Sequence, residues 1–263
     1  VSPALRSDAL DGQVVLVTGG GTGIGRATAL ACAHAGADVV VSGRRREPLD
    51  EVAALVAAAG RKCLTVAADV REDVTELVDQ ALGAFGRVDV LVNGAGGQFI
   101  APAEDISVNG WRAVHRLAVE AAWNLTREVA TRSMIPNRSG LVVFVAFSPR
   151  RGIPGMVHAT SARAAVENLA AGLALEWSRY GIRSVAVAPG TILTDGLREQ
   201  YPQEAIDGWA GAVPLGRLGT PDEVGELIAF LATATYVTGT TVVVDGGVDA
   251  WGTGHPAPPQ EPA

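Results

Sequence analysis

The chain has 263 residues, 48% of them hydrophobic and 19% charged, with a formal net charge of -7. That acidity argues against a protein that tracks nucleic-acid phosphates, and no apolar run approaches the ~20 residues of a membrane span. Two cysteines, Cys32 and Cys63, fit no metal-ligand spacing and are expected to pack as small apolar groups in a reducing compartment. The length permits one large α/β domain. The first residues lack a signal-peptide core, and the last three, Glu261, Pro262 and Ala263, are no peroxisomal tripeptide. A cytoplasmic protein is the expectation.

Residues 1–12 read as a loose N-terminal arm, and 13–250 as a single domain. Val14 to Val17 is a β-branched apolar run that stops at Thr18 and a glycine cluster, Gly19 to Gly25. An alanine-rich helix follows from Arg26 to Ala35. Asp38 to Ser42 is a second strand, broken by Gly43, Arg44, Arg45 and Arg46. A helix from Glu47 to Ala59 leads to a strand from Lys62 to Ala67. A helix from Asp73 to Phe85 leads to a strand from Val88 to Val92, which stops at Asn93, Gly94, Ala95 and Gly96. Ser107 is placed to cap a long helix running to Arg132. A strand from Leu141 to Phe147 precedes a helix from Thr160 to Arg179, with Thr160 and Ser161 as its N-terminal capping groups. Arg183 to Ala188 is a sixth strand, ending at Pro189 and Gly190. A helix from Pro221 to Ala232 has proline in its first turn. Thr241 to Val244 is the last strand. The tail, 251–263, is proline-rich and expected to be disordered.

Short apolar strands that alternate with helices predict an α/β fold: a Rossmann-like, doubly wound parallel sheet. Ligands of such sheets lie at the carboxyl ends of the strands. Around Gly19, Gly21, Thr22, Gly23, Ile24 and Gly25 the backbone can approach a phosphate closely, because glycine has no Cβ in the way. The free N–H groups and positive end of the next helix favour the anion. The stretch predicts a pyrophosphate cradle. A tight turn without a ligand is the alternative, weakened by the strand before it and the helix after it.

These motifs, in this order, resemble the short-chain dehydrogenase/reductase family from Gly12 to Gly247. TGGGTGIG fits its TGxxxGxG, NGAG its NNAG, Pro189-Gly190 with Thr194 its PGxxxT, and Asp245-Gly246-Gly247 its closing segment. Asn93 to Trp111 and His158 to Trp177 are most similar to the peroxisomal trans-2-enoyl-CoA reductases and, less closely, to the 2,4-dienoyl-CoA reductases.

The resemblance implies a nicotinamide cofactor. An acid ending the second strand would bond the adenosine ribose; here Gly43 stands there, followed by Arg44. A guanidinium can take a 2′-phosphate in a bidentate pair, so NADP(H) is expected. The alternative is that Arg44, Arg45 and Arg46 are solvated loop charges. Asp69 and Val70 are expected beside the adenine, Asp69 also being a turn former. Asn93, Gly94 and Ala95 are expected under the nicotinamide ribose. Pro189, Gly190, Ile192 and Thr194 are expected at the nicotinamide end. Residues 195–217, with Tyr201 and Trp209, correspond to the family's substrate lid, and Gln98 to Ala103 would border the same cleft.

The family's proton machinery is a Ser, a Tyr and a Lys in YxxxK, with an upstream Asn. Their positions fall here on Ala146 or Phe147, Ala159, Arg163 and Ala118. The candidate catalytic residues are therefore Arg163, as a ribose clamp with a fixed charge, Ser148 as a donor to substrate oxygen, and His158 as a proton-transfer group. Each has a plainer alternative: a surface salt bridge, a turn before Pro149, and a helix-end residue facing away. Glu120 reads as a helix-face charge rather than a base. Arg150 and Arg151 are candidates for coenzyme A phosphates, or solvated loop charges. The implied activity is NADP(H)-dependent reduction of an activated C=C bond in a small-molecule substrate such as an acyl thioester. Two alternatives stand beside it: non-redox chemistry in the same cleft, and a non-catalytic nucleotide-binding subunit. No metal, nucleic-acid or membrane partner is expected. A homo-oligomer, dimer or tetramer, is expected through the two long helices.

Overall fold

A computed structural model describes residues 6–150 and 152–251. Seven strands form one parallel sheet in the order β3-β2-β1-β4-β5-β6-β7. They are β1 (Val14–Thr18), β2 (Asp38–Gly43), β3 (Cys63–Ala67), β4 (Val90–Asn93), β5 (Gly140–Val145), β6 (Ile182–Pro189) and β7 (Thr241–Val244). The α/β, Rossmann-like expectation is met. The strand order reverses between β1 and β4, and register there pairs Val15 with Val90 and Val17 with Val92. The carboxyl ends of those two strands are where such a sheet opens for a ligand.

Side chains alternate across each strand, so successive residues enter opposite cores. Val14 and Leu16 pack with the layer of α3 (Val74–Phe85), α4 (residues 108–137) and α5 (Val157–Trp177). Val15 and Val17 pack with α1 (Gly23–His34), α2 (Arg46–Ala58) and α8 (Pro221–Thr233). With helices on both faces, the strands are mostly apolar along their length. A Cβ on Gly225 of α8 would crowd the backbone of Ala27 and Thr28, so α1 and α8 touch almost backbone to backbone.

Four expectations need correction. Residues 6–12 are no loose arm: Leu10 is fully buried and its N–H bonds the Ala35 carbonyl. The long helix runs on past Arg132 to Asn137 through two π-helical turns, Arg116–Glu120 and Ala130–Met134. Helix α5 starts three residues earlier than expected, at Val157, after the Met156 N-cap and Gly155, which takes φ 77°. Thr160 and Ser161 are therefore inside it and bond back to the carbonyls of Met156 and His158 rather than capping it. Residues 195–217 hold two short helices, α6 (Asp195–Gln200) and α7 (Gln203–Gly211), where Tyr201 and Trp209 pack edge to face at 4.8 Å. Helix α9 (Val248–Trp251) closes the described chain. Arg151 and the rest of the tail, 252–263, lie outside the described residues. Both cysteines are free thiols, and burial pushes Cys32 up to about 12. Among the described residues no helix is long and apolar enough to cross a membrane, and no cluster of His, Cys, Asp or Glu is placed to hold a metal ion.

Candidate active site

The carboxyl ends of β1 and β4 are tied together by one hydroxyl. Thr18 Oγ1 accepts from the N–H groups of Gly94 and Ala95, each at 3.1 Å. The glycines around it are present because the backbone has no room for more. A Cβ on Gly25 would overlap the Gly19 carbonyl oxygen, and one on Gly94 would lie 2.7 Å from the Thr18 oxygen. Gly19 itself takes φ 68°, which an L side chain rarely adopts. Thr22 precedes α1 without capping it by a side-chain hydrogen bond, so that helix presents its first N–H groups uncapped.

Beside this knot lies a cavity of about 740 Å³. Gly19, Gly21, Thr22, Arg44, Asp69, Val70 and Ala95, all expected at the cofactor, line it. The remaining expected cofactor groups do not. Gly23 and Ile24 open α1, and Gly25 packs on Gly19. Asn93 turns its amide away to Thr126 of α4, at 3.0 Å, so it fixes the floor from behind. Gly190 packs against Asp245, and Pro189 accepts the Ser148 N–H. Ile192 is buried and lines a second, smaller cavity of about 480 Å³. Thr194 caps α6 through Leu197, and its methyl faces Gly23.

Charge concentrates at one end of the main cavity. Arg44, Arg45 and Arg71 line it, with Asp69. Arg71 grips Asp69 through two guanidinium nitrogens, and its N–H also bonds that carboxylate. Chiefly by that side-chain bond, Asp69 is held down to about 2. Asp69 is thus a turn former that also lines the cavity. Arg46 is paired with Asp50, whereas Arg44 and Arg45 form no salt bridge among the described residues. Two unpaired guanidiniums facing a cleft suit a phosphate.

At the other end the wall is Gly96, Gly97, Gln98, Phe99, Val114 and Leu117. Arg163 stands directly behind it. Its Nη1 donates to the Val145 carbonyl at 2.7 Å, and its Nη2 occupies the place a Gly96 side chain would take. Among the described residues no carboxylate pairs with it, and burial lowers its pKa to about 10, so it stays charged at neutral pH. The surface-salt-bridge alternative is excluded. Ala159, one turn before it, is buried with Val114, Ala118, Met156 and Ala162.

The other two catalytic candidates are placed differently from expectation. Ser148 is buried and its hydroxyl donates to Asp245 Oδ2, so that proton is already committed. His158 is fully buried behind Phe99, whose ring stacks on it at 4.2 Å. Arg150 is held by Asp249 and lies 3.8 Å from Glu167, which removes it as a free rim cation. Glu120 is an exposed charge on α4. Sequence reasoning missed Arg71 and Arg45 on the wall, and Leu117 and Val114 opposite; the helical spacing of Ala113, Val114 and Leu117 was the available signal.

The fit to a dinucleotide rests on two observations: a backbone cradle that a Cβ would fill, and two guanidiniums, Arg44 and Arg45, that line the cavity without a salt bridge among the described residues. The family pattern described as Enoyl-(Acyl carrier protein) reductase matches residues 19–249. A probable 2,4-dienoyl-CoA reductase of Bacillus subtilis is 36% identical over 90% of this chain and 97% of its own length. A peroxisomal 2,4-dienoyl-CoA reductase of Danio rerio is 37% identical over 95% of this chain and 84% of its own. These are dienoyl-CoA reductases, where the two stretches had ranked the enoyl-CoA reductases first. Among solved structures, a citronellol catabolism dehydrogenase of Pseudomonas aeruginosa superposes with a TM-score of 0.84. It is 36% identical, over 95% of this chain and all of its own.

Proposed function

The chain belongs to the short-chain dehydrogenase/reductase family, and on that premise we propose that it is an NADPH-dependent reductase of an activated C=C bond in an acyl thioester. The observation that carries this reading is Arg163, a buried cation against the cavity wall that no carboxylate pairs with among the described residues. An uncompensated buried charge is costly to a fold, and a site that must stabilise negative charge gives it a use.

NADPH, when bound, supplies the hydride. The backbone of Gly19 to Thr22 and the start of α1 would take the pyrophosphate, and Arg44 with Arg45 the 2′-phosphate. Hydride delivered to the β-carbon of a conjugated thioester moves negative charge onto the thioester oxygen. That oxygen needs donors and a positive field, which Arg163 carries at neutral pH. The proton then goes to carbon and can come from water. Reduction of a ketone is different, because an alkoxide must be protonated by a nearby acid. Ala159 and Phe147 offer none, and the Ser148 proton faces Asp245.

The apolar packing of Ala159 favours a second reading, a nucleotide-binding protein without redox turnover. One experiment separates the two. NADPH is titrated by its fluorescence, and its consumption is then followed with 2,4-hexadienoyl-CoA, crotonyl-CoA and acetoacetyl-CoA. Turnover of the unsaturated thioesters and not of the ketoacyl one is expected. Tight NADPH binding with no turnover on the panel would replace the first reading by the second.

A further inference from the structure

His158 lies in the first turn of α5 and is entirely buried. Among the described residues neither ring nitrogen makes a hydrogen bond of ordinary geometry; the Phe99 backbone comes near enough only to favour the charged ring slightly. An orphaned buried polar atom is costly to a fold, and such exceptions call for an explanation. Packing alone gives none, since an apolar ring would fill the space without that cost. What covers the imidazole is Phe99, stacked on it at 4.2 Å with the planes 24° apart. Phe99 is itself 39% exposed and lines the main cavity. Its other edge rests on Gly110, where a Cβ would lie 3.0 Å from the ring. The loop that bears it is pinned to the turn before α5 by the Ala101 N–H and the Gly155 carbonyl, at 3.0 Å. Ile100, next in the loop, and Val157, the first residue of α5, are exposed apolar side chains close by in sequence to this pair.

We propose that Phe99 and His158 form a gate on the acyl side of the cavity: an acyl thioester displaces the Phe99 ring and its carbonyl oxygen accepts a hydrogen bond from the imidazole beneath. The proposal rests on the reading of this cavity as a thioester reductase site. Burial lowers the His158 pKa, His115 adds repulsion, and the Phe99 backbone pulls weakly the other way. The ring is therefore neutral at physiological pH, with one N–H to donate. No proton is transferred; His158 orients the carbonyl while Arg163 supplies the charge. Exposed Ile100 and Val157 suit the hydrocarbon part of the same substrate.

Diethyl pyrocarbonate labelling of the whole protein, read by mass spectrometry, tests the gate without turnover. In the wild type His158 is expected to react slowly beside exposed His34, and at least ~10-fold faster in Phe99→Ala or Phe99→Leu, the gain of an uncovered ring. Hexanoyl-CoA, which cannot be reduced, is expected to slow labelling of the opened variants again. Equal His158 rates in wild type and both variants, or no protection by hexanoyl-CoA, would overturn the proposal. In kinetics, His158→Phe is expected to lower kcat/KM for the unsaturated thioester by ~10-fold, the loss of about one hydrogen bond, with NADPH affinity unchanged. His158→Gln, which keeps a donor, recovers part of that loss. A His158→Phe enzyme as fast as wild type would also overturn it. Absence of turnover in the wild type removes the reductase reading, and the labelling and protection results then decide the gate by themselves.

Discussion

Nη2 of Arg163 occupies the space that a side chain on Gly96 would need. The absence of a Cβ at Gly96 thus lets a buried cation reach the wall of the main cavity, and the Val145 carbonyl holds it there. The pair joins a loop after β4 to the middle of the packing face of α5.

Replacement of Arg163 should separate binding from stability. Arg163→Met removes a buried charge that no carboxylate balances among the described residues, and such exchanges for apolar groups are often neutral or stabilising. The melting temperature should hold or rise, while NADPH affinity falls by ~10-fold or more, about 1.4 kcal/mol. Calorimetry and fluorescence titration on one preparation check both. A lower melting temperature with unchanged affinity would make Arg163 a structural group only.

Arg44 should decide between the two nicotinamide cofactors. Arg44→Ala is expected to weaken NADPH by ~10- to 100-fold, the range for a charge-assisted hydrogen bond, and to leave NADH nearly unchanged. Arg46→Ala is the control, since Arg46 is paired with Asp50 outside the cavity wall. Equal losses for both cofactors in Arg44→Ala would refute a 2′-phosphate contact.

The Asp69–Arg71 pair sets a pH dependence whose sign is fixed. Arg71 holds the Asp69 carboxyl at about 2, below its ordinary 3.8. The contribution is therefore complete above about pH 4 and fades as pH falls from there toward 2. Asp69→Asn should destabilise by no more than about 1 kcal/mol at pH 6, since the pair is partly exposed. The gap to wild type should close on acidification; denaturant melts at several pH values would reveal a gap that stays constant instead.

Glycine substitutions should sort by space rather than by secondary structure. Gly25→Ala puts a methyl onto the Gly19 carbonyl and should cost about 3 kcal/mol or more, or prevent folding. Gly83 is exposed within α3 with nothing near its missing Cβ. Gly83→Ala should stabilise by about 0.5–1 kcal/mol through helix propensity. Similar effects from both would show that the cradle is looser than its geometry.

The strands and the glycine-rich turn could be read from the residues because each depends on neighbours in sequence. A β-branched run, a helix period and a missing Cβ act within a few positions. That is why β7 coincides with the expected Thr241 to Val244, and why Gly19, Gly21, Arg44 and Asp69 meet at one cavity. The π-helical turns of α4 left no such mark, since they come from how the helix packs rather than from its pattern.

The roles of the polar side chains belong to the tertiary structure. Ser148 gives its proton to a carboxylate 97 positions away, and Asn93 turns to a threonine 33 positions away. Phe99 covers His158, and Arg163 has no counter-charge among the described residues. Local sequence names the donors but not their acceptors. Those are chosen when distant segments are packed together and water is excluded, because an unpaired polar atom becomes expensive only then.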